Sequence, residues 1–411
     1  MSKNLVRKEV LSKIVPSKVE RSKVLKSVKL FLDSVNKSLK KNKISAKAVL
    51  GGSYAKDTWL SGDYDVDVFV KFSLKYKNQN ISDLLEKALK PFKFERLHGS
   101  RDYFWVRDEV KYELVPVLDI RRAKDAVNVT DFSPLHVAWV NKKGVKLKDD
   151  IRLVKKFCKA SKCYGAESYI RGFSGHVVDI LTIYYGGFEK LVKAAIKWNP
   201  KVVLDYNNAL KGKALLVLNK SKTEGPLVLV DPVQPNRNAA AALTDENFNR
   251  FIEASKSYVK SPSLSCFEEK EIDFEKLRKK GHVVKVGVLS LVDKEDIAGT
   301  KFVRAFEFIR ERLSDFVVKD SGWSWNRNDE GVWWFLLEKR ELPKVMDWMG
   351  PPLKIEPAVK EFKRRYSKTF VKDGRLWAKI NRDETRPEHI VKNLFKDDYV
   401  KSRVRKVWIT G

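Results

Sequence analysis

Two aspartates one residue apart, in Asp63-Tyr64-Asp65-Val66-Asp67-Val68-Phe69-Val70, have the clearest chemical capacity in this 411-residue chain. Side chains along a strand alternate between faces, so Asp65, Asp67 and Phe69 share one face while Val66, Val68 and Val70 fill a core on the other. Two carboxylates on adjacent same-face positions repel each other unless a cation lies between them. Such a pair suits two Mg²⁺ ions, about 3.5–4 Å apart, in an in-line phosphoryl displacement. Twelve residues before Asp65 stands Ser53, in Gly51-Gly52-Ser53. This turn lets backbone N–H groups and a hydroxyl approach a phosphate, and Lys56 follows one helical turn later. A two-metal site also needs a third carboxylate from a neighbouring strand, and Glu113 in Val110-Lys111-Tyr112-Glu113-Leu114-Val115-Pro116 supplies it. A lone D-x-D or Gly-Gly-Ser is common surface chemistry. The ordered combination of strand, Gly-Gly-Ser, short helix and D-x-D strand is specific.

The elements around these residues divide the chain. Val24, Val28, Phe31 and Val35, with Leu32 and Leu39, recur at helical spacing in a Lys-rich segment. Strands are expected from Ala46 to Phe72, interrupted by the Gly-rich turn, and from Val110 to Val117. This gives an α+β head with a mostly β active-site sheet. From 148 to 260 the pattern is helical, with Ile151, Val154 and Cys158 on one face and Ile170, Phe173, Val177, Ile180 and Tyr184 on another. Thr244 reads as an N-cap before Asp245 and Glu246. Pro226 to Asn238 reads as an apolar strand running into a loop. Beyond Ser261-Pro262-Ser263 come a strand (Val283 to Val292), a helix (Lys301 to Leu313) and two strands (Asp315 to Trp325, Val332 to Leu337). A helix from Leu342 to Met349 then completes a β-α-β-β-α order of ferredoxin or RRM type. The expected domains are an α+β head (1–142), a helical neck (143–262), a β-α-β-β-α body (263–349) and a basic tail with a returning strand (350–411).

Composition narrows the partners. Lys and Arg number 83 against 53 Asp and Glu, a formal charge of +30, yet 43% of residues are hydrophobic and eleven are Trp. This is a folded chain with a strong positive field, which gathers polyanions by counterion release, nucleic acid first and an anionic membrane surface second. No apolar run approaches the roughly 18–20 residues needed to span a bilayer, since Asp179 breaks the richest, Val177 to Tyr185. The start, Met1-Ser2-Lys3-Asn4, carries no signal-peptide block, so the expected location is cytoplasmic. Cys158, Cys163 and Cys266 form no disulfide framework, and five scattered histidines offer no zinc spacing. A catalytic metal is therefore expected on carboxylates, as Mg²⁺.

Over nearly its whole length the chain resembles the archaeal-type (class I) CCA-adding enzymes, tRNA nucleotidyltransferases of the polymerase-β superfamily. The head contributes the GGSYAKDTW and DVDVFV segments, and the neck Arg152-Leu153-Val154-Lys155, Tyr164-Gly165-Ala166-Glu167 and Arg171-Gly172-Phe173-Ser174-Gly175. Val230-Asp231-Pro232-Val233, Arg237-Asn238-Ala239-Ala240 and Pro262-Ser263-Leu264 follow. Met349-Gly350-Pro351 and Asp373-Gly374-Arg375-Leu376-Trp377-Ala378 match more loosely. The resemblance implies addition of C, C and A to the tRNA 3′ end from CTP and ATP, without a nucleic-acid template and with two Mg²⁺ ions. Asp65, Asp67 and Glu113 would ligate metal and be catalytic. Gly52, Ser53, Lys56, Lys155 and Tyr164 would hold the triphosphate end, His136 would contact the nucleotide, and Arg237 would read the base edge. The acceptor and T arms of tRNA would lie on the basic body and tail.

Two departures stand out against that pattern. Glu113 occupies a position where the family has aspartate, and Asp119, of the same strand parity, is an alternative that the following Val-Pro disfavours. Lys56 stands where arginine is expected. A poly(A) polymerase-like terminal transferase and a catalytically weakened tRNA-binding protein remain as alternatives. The oligomeric state is left open, a homodimer being one option.

Overall fold

The computed structural model describes residues 2–108, 110–292 and 294–410, so Met1, with which the N-terminal reading begins, lies outside them. The chain forms two compact units, residues 1–270 and 271–411.

The first unit opens with helices α1 (Lys3–Ile14) and α2 (Lys18–Lys41), each capped by a serine side chain, Ser2 and Ser17. Strand β1 (Ala46–Leu50), the short helix α3 (Gly52–Lys56), strand β2 (Asp65–Phe72) and helix α4 (Ile81–Leu89) follow. Strands β3 (Phe94–Leu97), β4 (Tyr103–Arg107) and β5 (Lys111–Leu118) complete a five-stranded sheet of order β1-β2-β5-β4-β3. Within this sheet, among the described residues, only β2 and β5 pair in parallel, in a register that sets Asp65 against Lys111 and Asp67 against Glu113.

The expected helical stripe covers one sheet face. Val24, Val28, Phe31, Val35 and Leu39 pack with Val66, Val68, Val70, Tyr112 and Leu114, and Phe31 stacks on Tyr112 at 3.8 Å. Because side chains alternate, this leaves Asp65, Asp67 and Glu113 on the opposite face.

Helix α5 (Ser133–Lys143) leads into α6 (Lys148–Ala160), α7 (Gly175–Tyr185) and α8 (Phe188–Ala195), and a further helix spans Asp245–Lys260. Thr244 accepts the Asn247 N–H as its N-cap. Strands Val202–Asp205 and Leu227–Val230 pair in parallel beside the helices. The core here includes Val6, Val10 and Ile14 of α1 beside Ile151, Val154 and Cys158 of α6. Thus α1 packs with the helices from which more than a hundred residues separate it, and Arg7 clasps Asp150 with bonds of 2.7 and 3.0 Å.

The expected apolar stripe from Ile170 to Tyr184 is only partly helical. Helix α7 begins at Gly175, where the Ser174 hydroxyl caps the Val177 N–H. Before it the chain doubles back: Tyr164 bridges to Phe173, Gly165 has φ +118°, and a Cβ at Gly172 would lie 2.2 Å from the Cys163 carbonyl oxygen. Those two glycines make a close turn that a continuing helix would not allow.

In the second unit, strands His282–Ser290, Val318–Trp325, Glu330–Leu337 and Val404–Ile409 form an antiparallel sheet. By chain order its strands run 4-1-3-2, with helices Glu295–Arg312 and Pro387–Leu394 in the two crossovers. This is the β-α-β-β-α-β ferredoxin-like order.

The expected helix from Leu342 to Met349 is instead a strand, Val345–Pro352. Leu342, Met346 and Met349 mimic a helical repeat, but Leu342 is buried while Met349 is 55% exposed, so no common face meets a core. The segment pairs with Arg375–Asn381, which in turn pairs with Thr369–Lys372. Together with helix Glu356–Arg365 this small sheet is an insertion before the second crossover helix. Tertiary pairing has overridden the local pattern.

Candidate active site

The turn between β1 and α3 is built for close approach. The Gly51 N–H donates to the Asp67 carbonyl oxygen at 2.8 Å, tying the turn to β2. Gly52 has φ +49°, and a Cβ there would fall 1.6 Å from Asp67 Oδ2. Only glycine fits between this backbone and that carboxylate. Ser53 is half-buried next to it, and its hydroxyl has no hydrogen-bond partner among the described residues.

Across the strands, Asp67, Glu113 and Trp105 lie in one row on one face. Burial first and the Glu113 carboxylate second push the Asp67 carboxyl up to about 6, against the pull of Lys56 and Lys155. Burial also raises Glu113, opposed mainly by the Trp105 indole N–H, which donates to its Oε2 at 2.9 Å. Asp65 is exposed, with the Lys111 ammonium 3.4 Å from its Oδ1. Facing carboxylates held above their ordinary range, with a side-chain ammonium drawn to the row, are a set of hard oxygen donors that suits a divalent cation. The donor set therefore fits divalent metal ions on Asp65, Asp67 and Glu113.

Lys56 and Lys155 are both buried, and Lys56 meets the buried acid Asp179. Lys56 Nζ lies 2.6 Å from Asp179 Oδ2, with Asp179 fully buried. Lys155 donates to the carbonyl and hydroxyl oxygens of Thr58 at 3.0 and 3.2 Å, and burial lowers its ammonium to about 8 despite Asp179. Tyr164 is half-buried, and burial, then Asp179 and Asp63, raise its hydroxyl well above the usual range. Lys56, expected on a triphosphate, is thus engaged in a buried ion pair, because Asp179 offers it a partner of opposite charge.

His136 and Arg237 converge elsewhere, on buried Asp231. His136 Nε2 lies 3.0 Å from Asp231 Oδ2, and His176 Nε2 and an Arg237 nitrogen each lie 3.3 Å from the same oxygen. Backbone N–H groups of Val233 and Gln234 donate to Oδ1. Burial would raise the Asp231 carboxyl, but hydrogen bonds from the two histidines hold it well below the usual carboxylate range. Burial lowers His136 to about 4, leaving it neutral near pH 7. The donor atoms of His136, His176 and Asp231 are close enough to hold a metal ion. However, the Arg237 guanidinium occupies that carboxylate, which makes the cluster a hydrogen-bonded hub.

The structure therefore brings Gly52, Ser53, Asp65, Asp67 and Glu113 together, sets Lys56, Lys155 and Tyr164 around Asp179, and joins His136 to Arg237 through Asp231. Sequence reasoning did not single out Asp179, His176 or Trp105 as functional positions, and named Asp231 only within the Val230–Val233 motif. Asp179 did leave a signal, as the one acid in an otherwise apolar run.

Models of three protein families match the chain: the nucleotidyltransferase domain over residues 32–204, the second domain of tRNA nucleotidyltransferase over 149–268, and the CCA-adding enzyme C-terminal domain over 294–405. The CCA-adding enzyme of Nanoarchaeum equitans is 36% identical over 378 residues, covering 90% of this chain and 91% of its own. The chain belongs to the CCA-adding enzyme family. Other members include those of Sulfurisphaera tokodaii, 30% identical over 96% of this chain and 93% of theirs, and Methanocaldococcus jannaschii, 30% over 95% and 90%. A solved RNA terminal uridylyl transferase, Cid1, is 16% identical with a TM-score of 0.51, covering 66% of this chain and 99% of that one. That likeness shows a shared nucleotidyltransferase fold alone. Among the described residues no helix is long and apolar enough to cross a membrane.

Proposed function

We propose that this member of the CCA-adding enzyme family adds C, C and A to tRNA 3′ ends from CTP and ATP, with the row of Asp65, Asp67 and Glu113 as its reaction centre. The observation that carries the residue assignment is the parallel register of Asp67 with Glu113, beside a glycine that admits no side chain. The tRNA 3′-oxygen attacks the nucleotide α-phosphorus, a P–O bond forms, and the bond to pyrophosphate breaks. Divalent metal ions, Mg²⁺ in this proposal, would be held by the three carboxylates and supply Lewis-acid activation of the 3′-hydroxyl and charge neutralisation at the phosphates.

The chain's own groups do the rest. Glu113 has one oxygen fixed by Trp105, which leaves Oε1 to face the metal ions, and the 3′-hydroxyl proton passes to solvent water. Ser53 donates to the phosphates through its free hydroxyl, while Lys155 and Tyr164 supply a cation and a hydroxyl that stays protonated. Lys56 neutralises Asp179, so that no buried unpaired acid repels the triphosphate.

His136 donates through Nε2 to Asp231, so in its neutral form Nδ1 is a bare acceptor. Cytosine and adenine both present an exocyclic amine that such an acceptor suits, while Arg237 donates to a ring nitrogen. Paired tRNA arms would be read through phosphates and 2′-hydroxyls on basic surface. The cytoplasm is the setting this reading implies.

Incubation with tRNA lacking its CCA end tests the reading. CTP alone should give two additions, and ATP alone should give none. Long adenine runs on arbitrary RNA would instead assign the chain to poly(A) polymerase-type chemistry.

A further inference from the structure

We infer that Trp105 is a positioning residue for the reaction centre, holding the long side chain of Glu113 where a shorter acid would need no help. The inference rests on the reading of Glu113 as a metal carboxylate. Trp105 stands directly opposite Glu113 on β4, while Asp67 stands opposite it on β2, so the three side chains share one face. The indole N–H donates to Glu113 Oε2 at 2.9 Å. The same ring carries the Lys111 ammonium 4.1 Å from its centroid, and Lys111 reaches Asp65 at 3.4 Å. One side chain therefore touches both ends of the carboxylate row, Glu113 through its edge and Asp65 through the lysine on its face.

A glutamate has one more rotatable bond than an aspartate, and that bond must be frozen for the carboxylate to meet a metal ion in one place. The indole N–H opposes that freedom: it fixes Oε2 and leaves Oε1 for the ion. With aspartate at 113 the carboxylate would be drawn back toward β5 by about one carbon–carbon bond, roughly 1.5 Å. It would then lie out of reach of the indole, and the tether would have nothing to hold.

The test is Mn²⁺ binding, read by electron paramagnetic resonance, in a double-mutant cycle of Trp105→Phe and Glu113→Asp on the full chain. Trp105→Phe keeps an aromatic ring for Lys111 but loses the N–H together with the five-membered ring that carries it. It should weaken Mn²⁺ binding by about tenfold or more in the Glu113 protein, and should leave affinity unchanged in the Glu113→Asp background. Unchanged affinity in the Glu113 protein would overturn the inference, as would an equal loss in both backgrounds. If the phenylalanine variant does not fold, 3-benzothienylalanine at position 105 exchanges the N–H for sulfur in a ring of the same outline, with the same expectations. Nucleotide incorporation measured alongside separates the two claims. A wild type that binds Mn²⁺ but extends no tRNA refutes the proposed function, whereas an active wild type with no effect of Trp105→Phe refutes the tether.

Discussion

Gly52→Ala puts the geometry of the proposed reaction centre to a quantitative test. The backbone at 52 sits at φ +49°, and the new Cβ would fall 1.6 Å from Asp67 Oδ2. Ordinary carbon–oxygen contact is about 3.3 Å, so the carboxylate or the turn must give by about 1.7 Å. Misplacement of about 1 Å costs on the order of a hundredfold in rate, so kcat should fall by at least that factor. The left-handed backbone adds a stability cost of about 1–2 kcal/mol. Gly62→Ala separates the two effects, because Gly62 also has positive φ, +80°, but a methyl group there would meet nothing within 4 Å. That variant should lose similar stability and keep its activity. The assay is single-turnover CTP incorporation into tRNA lacking CCA, with thermal melts of both proteins. Rates for Gly52→Ala within about threefold of Gly62→Ala would refute the claim that the turn is fitted to Asp67.

Three further outcomes follow from the same contacts. Lys56→Met should destabilise the protein by about 3–5 kcal/mol, because it strands buried Asp179; chemical denaturation should show most of that loss recovered by adding Asp179→Leu, and no recovery would contradict the buried pair. Asp67→Asn should abolish nucleotide addition yet raise the melting temperature of metal-free protein near pH 7, since it relieves a carboxylate held up to about 6 by burial and Glu113; a lowered melting temperature would count against the strained row. His136, lowered to about 4, should show no NMR titration midpoint between pH 5 and 8. The unfolded chain takes up a proton near pH 6.5 that the folded chain refuses, so this group removes stability as pH falls from 6.5 toward 4; a midpoint near 6.5 would refute its burial as the cause.

Much of the centre was legible because strands have a period of two. Asp65 and Asp67 on one face and Val66, Val68 and Val70 on the other follow from the sequence alone, and the structure places them so. The partner register was not legible, since nothing local to β2 says that Asp67 faces Glu113 and not a neighbour two residues away. The same limit hid the partner of Lys56, which lies 123 positions along the chain. It also hid the place of α1, whose apolar face packs with the distant α6. In the second unit, apolar spacing alone could not distinguish Leu342–Met349 as a strand, because the deciding partner, Arg375–Asn381, comes later in the chain.

The central claim, that the Asp65–Asp67–Glu113 row extends tRNA by a defined triplet, is tested most directly by sequencing product 3′ ends. The substrate is tRNA lacking CCA, incubated with CTP, ATP and Mg²⁺, with wild type and Asp67→Ala side by side. The account predicts ends in C, C, A and then a stop for the wild type, and unextended tRNA for Asp67→Ala. Unextended tRNA from a wild type that still binds it tightly, or the same triplet from Asp67→Ala, would contradict it.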